Sequence, residues 1–377
     1  MEAPRPSPLK EIVASLDRVM LGCVLALVLW GVLCVYSAGA GAQGQGADLA
    51  LRQALWLALS CAALFLVAAV GHNGLLDAAY VFYGLTLVLL LLTPLLAPRV
   101  KGAQSWIPIF GFRFQPSEFA KISLILMMSK FLSRNPPLTF RAFLAGLGVA
   151  VLPVLLVLLQ PDAGSALVYL VIALGMLLAA GAPLRYLGGL IGAGAAVLPF
   201  VVTFALKEYQ RMRLLVFIDP MRDPLGAGYN VIQSRIAVGS GGFWGKGFMM
   251  GMQSKLRFLP EPHTDFIFSV CAEEFGFLGA GVLLALFAVL FCRVIGAGAR
   301  SRERRCKVLV AGVAVWIWVQ MFESIGMSIG LMPVTGLPLP FLSYGGSALL
   351  SLFIALGLVQ GIYAENAKYR SVVHVLL

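Results

Sequence analysis

The stretch RFLPEPHTDFIFSVCAEEFG, residues 257–276, places ionisable side chains directly before and inside a long apolar run. Proline disfavours helix at the residue before it, so we expect a helix to begin just after Pro262, at residue 263 or 264. The apolar run from Phe266 to Cys292 is longer than the roughly 20 residues that a helix needs to cross a bilayer. The stretch therefore predicts a membrane-spanning helix with Asp265 in its first turn.

The composition extends this conclusion to the whole chain. Its 377 residues are 60% hydrophobic and 12% charged, with a mean hydropathy of +0.92, whereas roughly a quarter of the residues of an ordinary globular protein are charged. Repeated apolar runs predict an all-α polytopic integral membrane protein with about ten transmembrane helices. The expected spans are Val19–Tyr36, Leu51–Val70, Leu75–Leu96, Ser117–Leu132, Ala142–Leu159, Gly164–Ala180, Leu187–Leu206, Phe266–Cys292, Leu309–Gly330 and Leu342–Tyr363.

Other features of the composition narrow the class of protein. The six Cys lie mostly inside spans and in no C-x-x-C spacing, so we interpret them as small apolar residues and not as disulfides or metal ligands. Residues 1–18 are polar, and no small-residue cleavage site follows the first apolar run, so we expect that span to be retained. The net charge of +11 does not indicate nucleic-acid binding, because no basic run is interleaved with aromatic residues.

Lysine and arginine predict the orientation of the chain. Cytoplasmic loops carry an excess of these residues, and long loops cross the membrane regardless of their charge. When the long loop 207–257 is set aside, 15 Lys and Arg lie in the termini and the even-numbered loops, against 5 in the odd-numbered loops. We therefore expect both termini, residues 1–18 and 364–377, to be cytoplasmic.

The odd-numbered loops then share the outer face, and they contain most of the polar motifs. Because a loop above about 15 residues is seldom structureless, we expect an interfacial or partly re-entrant segment within residues 225–248, with Trp244 and Phe248 at the level of the lipid headgroups. No linker or repeat divides the chain, which predicts a single membrane domain, 1–377, with one composite site on its outer face. The motifs are RVKGAQSWIPIFGFRFQPSEFAK (99–121), QPDAGS (160–165), the extracytoplasmic loop 207–265 and GLMPVTGLPLPFLSYGGS (330–347).

The sequence QPSEFAK predicts a helix start. Pro116 suits the first helical position, and Glu118 lies in the first turn, where a carboxylate complements the helix dipole. Glu118 and Lys121 are three residues apart and so share a face. The pair is either a structural ion pair near the membrane boundary or an arrangement that holds Lys121 cationic for an anionic ligand, since ionisable residues inside spans commonly mark function.

Two other short motifs also lie at helix starts. Asp162 follows a proline in a short turn and precedes Ser165, a pattern typical of a helix-capping acid. In LPFLSYGGSALL, residues 339–350, the paired glycines Gly345 and Gly346 allow close approach of a ligand or of a neighbouring helix. The sequence leaves both alternatives open.

Asp265 likewise admits two interpretations. An acid at a helix start is commonly only favoured by the helix dipole, whereas a partly desolvated carboxylate among cations is the expected form of a general base. A glycosidase needs a second carboxyl group to protonate its leaving group, but a sugar that leaves from a diphosphate needs cations instead. One carboxylate beside many outer-face Lys and Arg therefore favours glycosyl transfer from a lipid diphosphate.

Four stretches of the chain together resemble the SEDS family (shape, elongation, division and sporulation). They are RFQPSEFAK, DPLGAGYNVIQSRIAVGSGGFWGKGF, FLPEPHTDFIFSVCAEEFG and PLPFLSYGGSALL. The resemblance runs from helix 1 through helix 10, and the GAGYNVIQSRIAVGSGG form is more similar to the RodA branch than to the FtsW branch. It implies a peptidoglycan glycosyltransferase that polymerises lipid II during cell-wall elongation and rod-shape maintenance. The family's essential Asp falls on Asp265, and its Glu and Lys at the start of helix 4 fall on Glu118 and Lys121.

The resemblance also implies surroundings and partners. These are the inner membrane of a bacterium, an extracytoplasmic active site, a class B penicillin-binding protein (a transpeptidase), lipid II, undecaprenyl diphosphate and the elongation machinery. It suggests a divalent cation, Mg²⁺ or Mn²⁺, for which the sequence indicates no ligands. We expect Asp265 to be the catalytic base. The candidate substrate-binding residues are Glu118, Lys121, Arg113, Gln115, Ser117, Trp106, Asp162, His263, Lys246, Lys255 and Ser343.

Other functions stay open at this point. A lipid II flippase would also suit many helices with buried charges, although its polar groups should be spread across the depth of the membrane. A septal, FtsW-like polymerase and an inert scaffold for a partner enzyme are further alternatives. Glu273 and Glu274, two acids deep in a span, need partners that the sequence does not name.

Overall fold

The computed structural model describes residues 15–40, 44–98, 104–109, 112–205, 208–256 and 258–376, and these are almost entirely helical. The helices are α1 (Arg18–Gly39), α2 (Gly46–Val70), α3 (His72–Asp77), α4 (Ala79–Leu96), α5 (Pro116–Arg134), α6 (Phe140–Leu158), α7 (Ala163–Ala179), α8 (Leu184–Phe200), α9 (Glu208–Ile218), α10 (Ala227–Ser240), α11 (Met252–Lys255), α12 (Ile267–Ala299), α13 (Arg304–Ile329) and α14 (Gly346–Leu376). A π-helical turn, Val201–Ala205, continues α8, and a 3₁₀ turn, Pro220–Arg222, follows α9. Two short strands, β1 (Ile107–Ile109) and β2 (Phe112–Phe114), form an antiparallel hairpin.

The polytopic all-α fold is confirmed, and each of the ten predicted spans coincides with a long helix. Eight of the described helices are long and apolar enough to cross a membrane. The other two are α7, which has 17 residues, and α5, whose charged residues lower its mean hydropathy. Both pack among other helices, so neither needs a fully apolar surface.

The centre of the bundle is formed by α13 and α14. Two thirds of the apolar window of each is buried inside the protein, against 6% for α8. Helix α13 packs against α5, α7 and α12, and α14 packs along α2. The outer helices carry large exposed apolar side chains such as Leu85 and Leu95, which is the surface that lipid requires.

The alternating directions of the helices define two ends of the bundle. One end, which we call the Asp265 end, holds the start of α12, the start of α5, the start of α7 and the residues before α14. The opposite end holds Asp17, which caps α1 and accepts a hydrogen bond from Arg293 of α12 at 2.7 Å. The polar motifs of the odd-numbered loops therefore do share one end of the bundle, as the sequence predicts.

The long loop between α8 and α12 is ordered into helices, in agreement with the expectation that it is not a tether. Helix α10 packs against α12 and α13, and α11 packs against α1. Trp244 is 76% exposed and Phe248 41% exposed, which leaves their predicted position at the headgroups a prediction. The loop thus forms a layer over the Asp265 end.

Helix α12 is broken at Gly276, which the sequence does not predict. Gly276 has φ 65° and ψ −163°, outside the helical region. The glycine-rich segment 241–247 supplies the missing hydrogen bonds: the amides of Lys246 and Gly247 donate to the carbonyls of Glu273 and Glu274, each at 3.0 Å. The amide of Phe277 donates in turn to the segment, at 2.9 Å. Because backbone groups in a membrane protein must be paired internally, the break and the segment depend on each other.

Candidate active site

Asp265 lies in a turn that precedes α12, and not in its first helical turn as predicted. The turn forms because Glu261 adopts a positive φ of 47°, and its carbonyl accepts from the amides of Thr264 and Phe266 at 3.3 and 3.4 Å. Helix α12 therefore begins at Ile267, three to four residues later than predicted. Asp265 is partly exposed, and this turn, not the helix, fixes its place at the end of the bundle.

The segment before α14 supports this turn. The amide of Tyr344 donates to the carbonyl of His263 at 2.9 Å, and the Ser343 hydroxyl donates to the carbonyl of Thr264 at 2.7 Å. The same Ser343 oxygen accepts from the amide of Leu339 at 2.8 Å. The Ser343 hydroxyl thus holds the two loops together, and its predicted contact with substrate remains a prediction. These contacts also explain why α14 begins at Gly346 and not at the predicted Leu342.

Gly336 brings a second loop against Asp265. It has a positive φ of 77°, and a Cβ atom at this position would lie 3.4 Å from Oδ2 of Asp265. Only glycine adopts this conformation without strain and leaves the space beside the carboxylate free. The loop from Pro333 to Leu337 therefore forms one wall of the site.

Exposed cations lie on the other side of Tyr344. His263 contacts the Tyr344 ring edge-to-face, with centroids 5.8 Å apart. Burial raises the pKa of Tyr344, while the positive charges of Arg52 and Arg113 oppose that rise and the negative charge of Asp48 adds to it. Arg113 was predicted, but Arg52 was not, because it forms an i,i+4 pair with Asp48 that resembles an ordinary surface pair.

The β1–β2 hairpin carries several predicted residues to this place. Arg113 is exposed on β2, and its carbonyl accepts from the Ser347 hydroxyl at 3.3 Å. The amide of Gln115 donates to the same hydroxyl at 3.1 Å. Trp106 precedes β1 and is partly exposed. Residues 99–103, 110 and 111 of the predicted motif lie outside the described residues.

Glu118 and Lys121 form the predicted pair on one face of α5. The Lys121 ammonium lies 2.7 Å from Oε1 of Glu118, and both side chains are almost completely buried. Lys121 also lies over the ring of Trp316, 5.0 Å from the centroid, and the Ser351 hydroxyl donates to Glu118 at 3.4 Å. The pair therefore joins α5 to both central helices of the bundle. Ser117, beside it, is buried, and its carbonyl accepts from the Tyr169 hydroxyl at 2.6 Å.

Asp162 caps α7, as predicted. Its carboxylate accepts from the amide and the hydroxyl of Ser165, at 2.9 and 2.7 Å. Desolvation raises the pKa of Asp162, and the hydrogen bonds from Ser165 and the charge of Lys121 oppose that rise. Helix α7 packs against α5, so the cap lies at the same end of the bundle as the start of α5.

Lys246 and Lys255 belong to a separate group and provide partners for the two deep acids. Glu273 accepts from the Lys246 ammonium at 2.7 Å and from the amides of Met252 and Gln253 at 2.9 and 3.2 Å. Glu274 accepts from the Ser37 hydroxyl, and the charge of Lys255 acts on it. These contacts fasten the long loop and α1 to the break in α12.

The sequence reasoning missed Glu323 of α13. Glu323 is 1% exposed, its Oε1 accepts from the Thr335 hydroxyl, and the next residue of that loop, Gly336, lies against Asp265. The available signal was an acid inside an otherwise apolar span, which commonly marks function. It went unnoticed because the span Leu309–Gly330 remains apolar on average.

The donor groups around Asp265 do not make a cation site from protein alone. Within the described part of the chain, three side chains of metal-binding type converge only at the opposite end, at His72, Glu303 and Cys306. No three carboxylate or imidazole groups of the described residues meet beside Asp265. We therefore derive no step of the reaction through a divalent cation.

Comparison with known proteins assigns the chain to a family. The family model described as "Cell cycle protein", which covers FtsW, RodA and SpoVE, matches residues 17–368. The chain belongs to the FtsW/RodA/SpoVE family.

Curated members of the FtsW/RodA/SpoVE family are similar over nearly the whole chain. The peptidoglycan glycosyltransferase MrdB of Escherichia coli K12 is 39% identical over 353 residues, which are 93% of this chain and 94% of that protein. The peptidoglycan glycosyltransferase RodA of Treponema pallidum is 32% identical over 428 residues, covering 94% of this chain and 99% of the relative.

Solved structures of the family share the fold. A chain from a peptidoglycan synthase complex that coordinates polymerization and crosslinking matches with a TM-score of 0.80 and 34% identity, over 94% of this chain and 99% of that chain. RodA of Thermus thermophilus matches with a TM-score of 0.71 and 29% identity, over 93% of this chain and 97% of that chain. The fold is therefore that of the FtsW/RodA/SpoVE family.

Proposed function

We propose that the chain is a peptidoglycan glycosyltransferase that polymerises lipid II, with Asp265 as its general base. The observation that carries the proposal is the convergence, at one end of the bundle, of a partly exposed carboxylate with two exposed guanidinium groups, Arg52 and Arg113. The relatives named as peptidoglycan glycosyltransferases support the activity. The apolar outer surface of the helices suits the lipid part of the substrate.

The proposed reaction is a single displacement at the anomeric carbon of the donor sugar. Asp265 accepts the proton of the acceptor hydroxyl, the hydroxyl oxygen forms the new bond to the anomeric carbon, and the bond from that carbon to the lipid diphosphate breaks. The electron pair leaves with the diphosphate, which is a weak base and needs cations more than an acid. Arg113 and Arg52 would hold its charge, and His263 and Tyr344 would position the donor.

Lys121 has a different role in this proposal from the one that its sequence suggested. Its ammonium has no exposed surface and is enclosed by Glu118 and Trp316. Direct contact with a diphosphate would require the cluster to open. We therefore assign Glu118 and Lys121 to positioning the start of α5 and the capped turn at Asp162.

The location and partner follow from the same proposal. The Asp265 end faces the outside of the inner membrane of a bacterium, and both termini are cytoplasmic, as the positive-inside rule predicts. The partner is a class B penicillin-binding protein, supported by the similar chain that was solved within a peptidoglycan synthase complex. A role of this chain in cell-wall elongation is supported by the relatives named RodA and MrdB.

Polymerisation of purified lipid II tests the role of Asp265. Asp265→Asn keeps the size of the side chain but cannot accept the proton, so we expect the rate to fall by about 10²–10⁴-fold, the usual contribution of a general base. Asp219→Asn is the matched control, because Asp219 is an exposed acid of the long loop that caps a 3₁₀ turn, and asparagine caps equally well. A rate close to wild type for Asp265→Asn would exclude this role.

The same preparations separate the flippase alternative. Wild type and Asp265→Asn are placed in sealed liposomes with labelled lipid II on one side, with and without the partner. We expect polymer from the wild type and no translocation that depends on Asp265. Translocation by both proteins without polymer would favour the flippase.

A further inference from the structure

Glu323 is the ionisable group of the candidate site that the proposed reaction leaves unused. It lies in α13 and is 1% exposed. One carboxyl oxygen accepts from the Thr335 hydroxyl, and the other, Oε2, is buried with no hydrogen-bond donor among the described residues. A buried ionised carboxylate with a free oxygen is costly, and the group is stabilised when that oxygen carries a proton.

The loop that holds Asp265 connects the two acids. Thr335, which donates to Glu323, is followed by Gly336, which lies beside the Asp265 carboxylate. A negative charge on Asp265 disfavours a second negative charge on Glu323 at the other side of this loop. Because Glu323 is the more deeply buried of the two acids, it is the one that keeps a proton more readily.

Charged groups on the other elements packed against α13 are engaged elsewhere. Arg235 of α10 donates to the carbonyl of Gly330, at the end of α13, at 2.9 Å. Lys121 of α5 pairs with Glu118, and Asp162 caps α7. On α12, Glu273 pairs with Lys246. Asp265 is the acid that the loop of Thr335 and Gly336 brings towards Glu323.

We propose that Glu323 is a positioning residue that carries the proton of a shared carboxyl pair, so that Asp265 is its ionised member and a single negative charge faces the anionic donor. The neutral Glu323 also fixes Thr335, and through Gly336 it fixes the wall of the site beside Asp265. Its role as a partner to the base rests on the proposed function, but its protonation does not.

Infrared spectroscopy of the full-length protein in detergent tests the protonation. A protonated carboxyl group gives a C=O band that is absent from Glu323→Gln, and we expect the wild-type band to persist at neutral pH. Asp265→Asn removes the neighbouring negative charge, so we expect the pH at which the band disappears to fall by about one unit. Thr335→Val removes the hydrogen bond and should move the frequency of the same band, which identifies it without changing Glu323.

Glu274→Gln is the matched control for the band. Glu274 is also a buried carboxyl with one unpartnered oxygen, but its charged neighbours are Glu273 and Lys255. Any band that it contributes should not respond to Asp265→Asn. If no carboxyl band is lost in Glu323→Gln, or if the band titrates identically in Asp265→Asn, the proposal is wrong. Should Glu323→Gln fail to fold, the Thr335→Val and Asp265→Asn spectra decide the question.

The pH dependence of polymerisation provides the second readout. Glutamine imitates the protonated glutamate and keeps an acceptor for Thr335, so Glu323→Gln should polymerise lipid II within about tenfold of wild type at neutral pH. The ratio of the variant rate to the wild-type rate should rise at least about threefold as pH passes the infrared transition, because only the wild type gains a second charge. A constant ratio would show a merely structural role. Loss of all polymerisation with an unchanged infrared result would count against the proposed function and not against the shared proton.

Discussion

The buried pair of Glu118 and Lys121 gives the sharpest test of how the site is built. The two groups lie 2.7 Å apart with almost no exposed surface. Removing one partner of such a pair leaves an uncompensated charge inside the protein and costs about 3–5 kcal/mol, whereas replacing both with neutral side chains of similar volume is often neutral. Lys121→Met and Glu118→Gln alone should therefore lower the unfolding midpoint strongly, and the double variant should recover most of it.

Polymerisation of lipid II by the same three variants separates positioning from contact with substrate. If Lys121 acts only by positioning α5, the double variant should regain activity together with stability, to within about tenfold of wild type. A double variant that is as stable as wild type but at least about 100-fold slower, the usual effect of losing one charge-stabilising group, would refute this reasoning. It would show that the cluster opens and that the ammonium meets the diphosphate. Leu85→Ala, an exposed position of α4, is the control for handling in detergent.

Three further predictions follow from the geometry. Gly276→Ala should lower the free energy of unfolding by about 1–3 kcal/mol, because Gly276 has φ 65° and a Cβ atom there would lie 2.3 Å from a backbone nitrogen. Gly281→Ala in the same helix is the control, because a Cβ atom at that position meets open space, and the unfolding midpoints of the two variants are compared. The pKa of Asp162 is raised by desolvation above its ordinary value of 3.8. Asp162→Asn, which keeps the cap, should therefore match the wild-type midpoint below pH 3.8, exceed it increasingly up to the pKa of Asp162 in the folded protein, and keep a constant advantage above that pKa; a difference that is the same at every pH would contradict this. Arg113→Ala should raise the KM for lipid II and leave the unfolding midpoint almost unchanged, because the side chain is exposed. Arg52→Ala should have the same two effects.

The helical fold could be predicted because hydropathy is a property of continuous sequence. Each expected span, such as Ala142–Leu159, needed only its own residues, and the structure places a helix there. The start of α12 could not be predicted in the same way. It depends on the positive φ of Glu261 and on hydrogen bonds from Ser343 and Tyr344, which lie about 80 residues later in the chain.

The ion-pair partners of charged residues could likewise be predicted only within one helix. Lys121 could be paired with Glu118 from spacing alone, since both lie on one helix. Glu273 could not be paired with Lys246, because the contact depends on a break at Gly276 that an apolar run conceals. Tertiary contacts decided which cations remained available: Lys246 and Lys121 are engaged, whereas Arg113 is exposed. Sequence spacing thus predicts ion pairs within one helix, but it does not predict ion pairs between a loop and a helix.

Glu323 places a second carboxyl group behind the loop that borders Asp265, whereas glycosyl transfer from a diphosphate needs only one carboxylate. A glycosidase would use the second group as an acid that protonates the leaving oxygen, and it must therefore present that group to the substrate. Glu323 is 1% exposed and is held by Thr335, so it cannot reach a leaving group on the surface side of Asp265. Its position allows it to control the charge of the base and not to act on the donor. The pair therefore remains a one-base site, which is what a diphosphate leaving group requires.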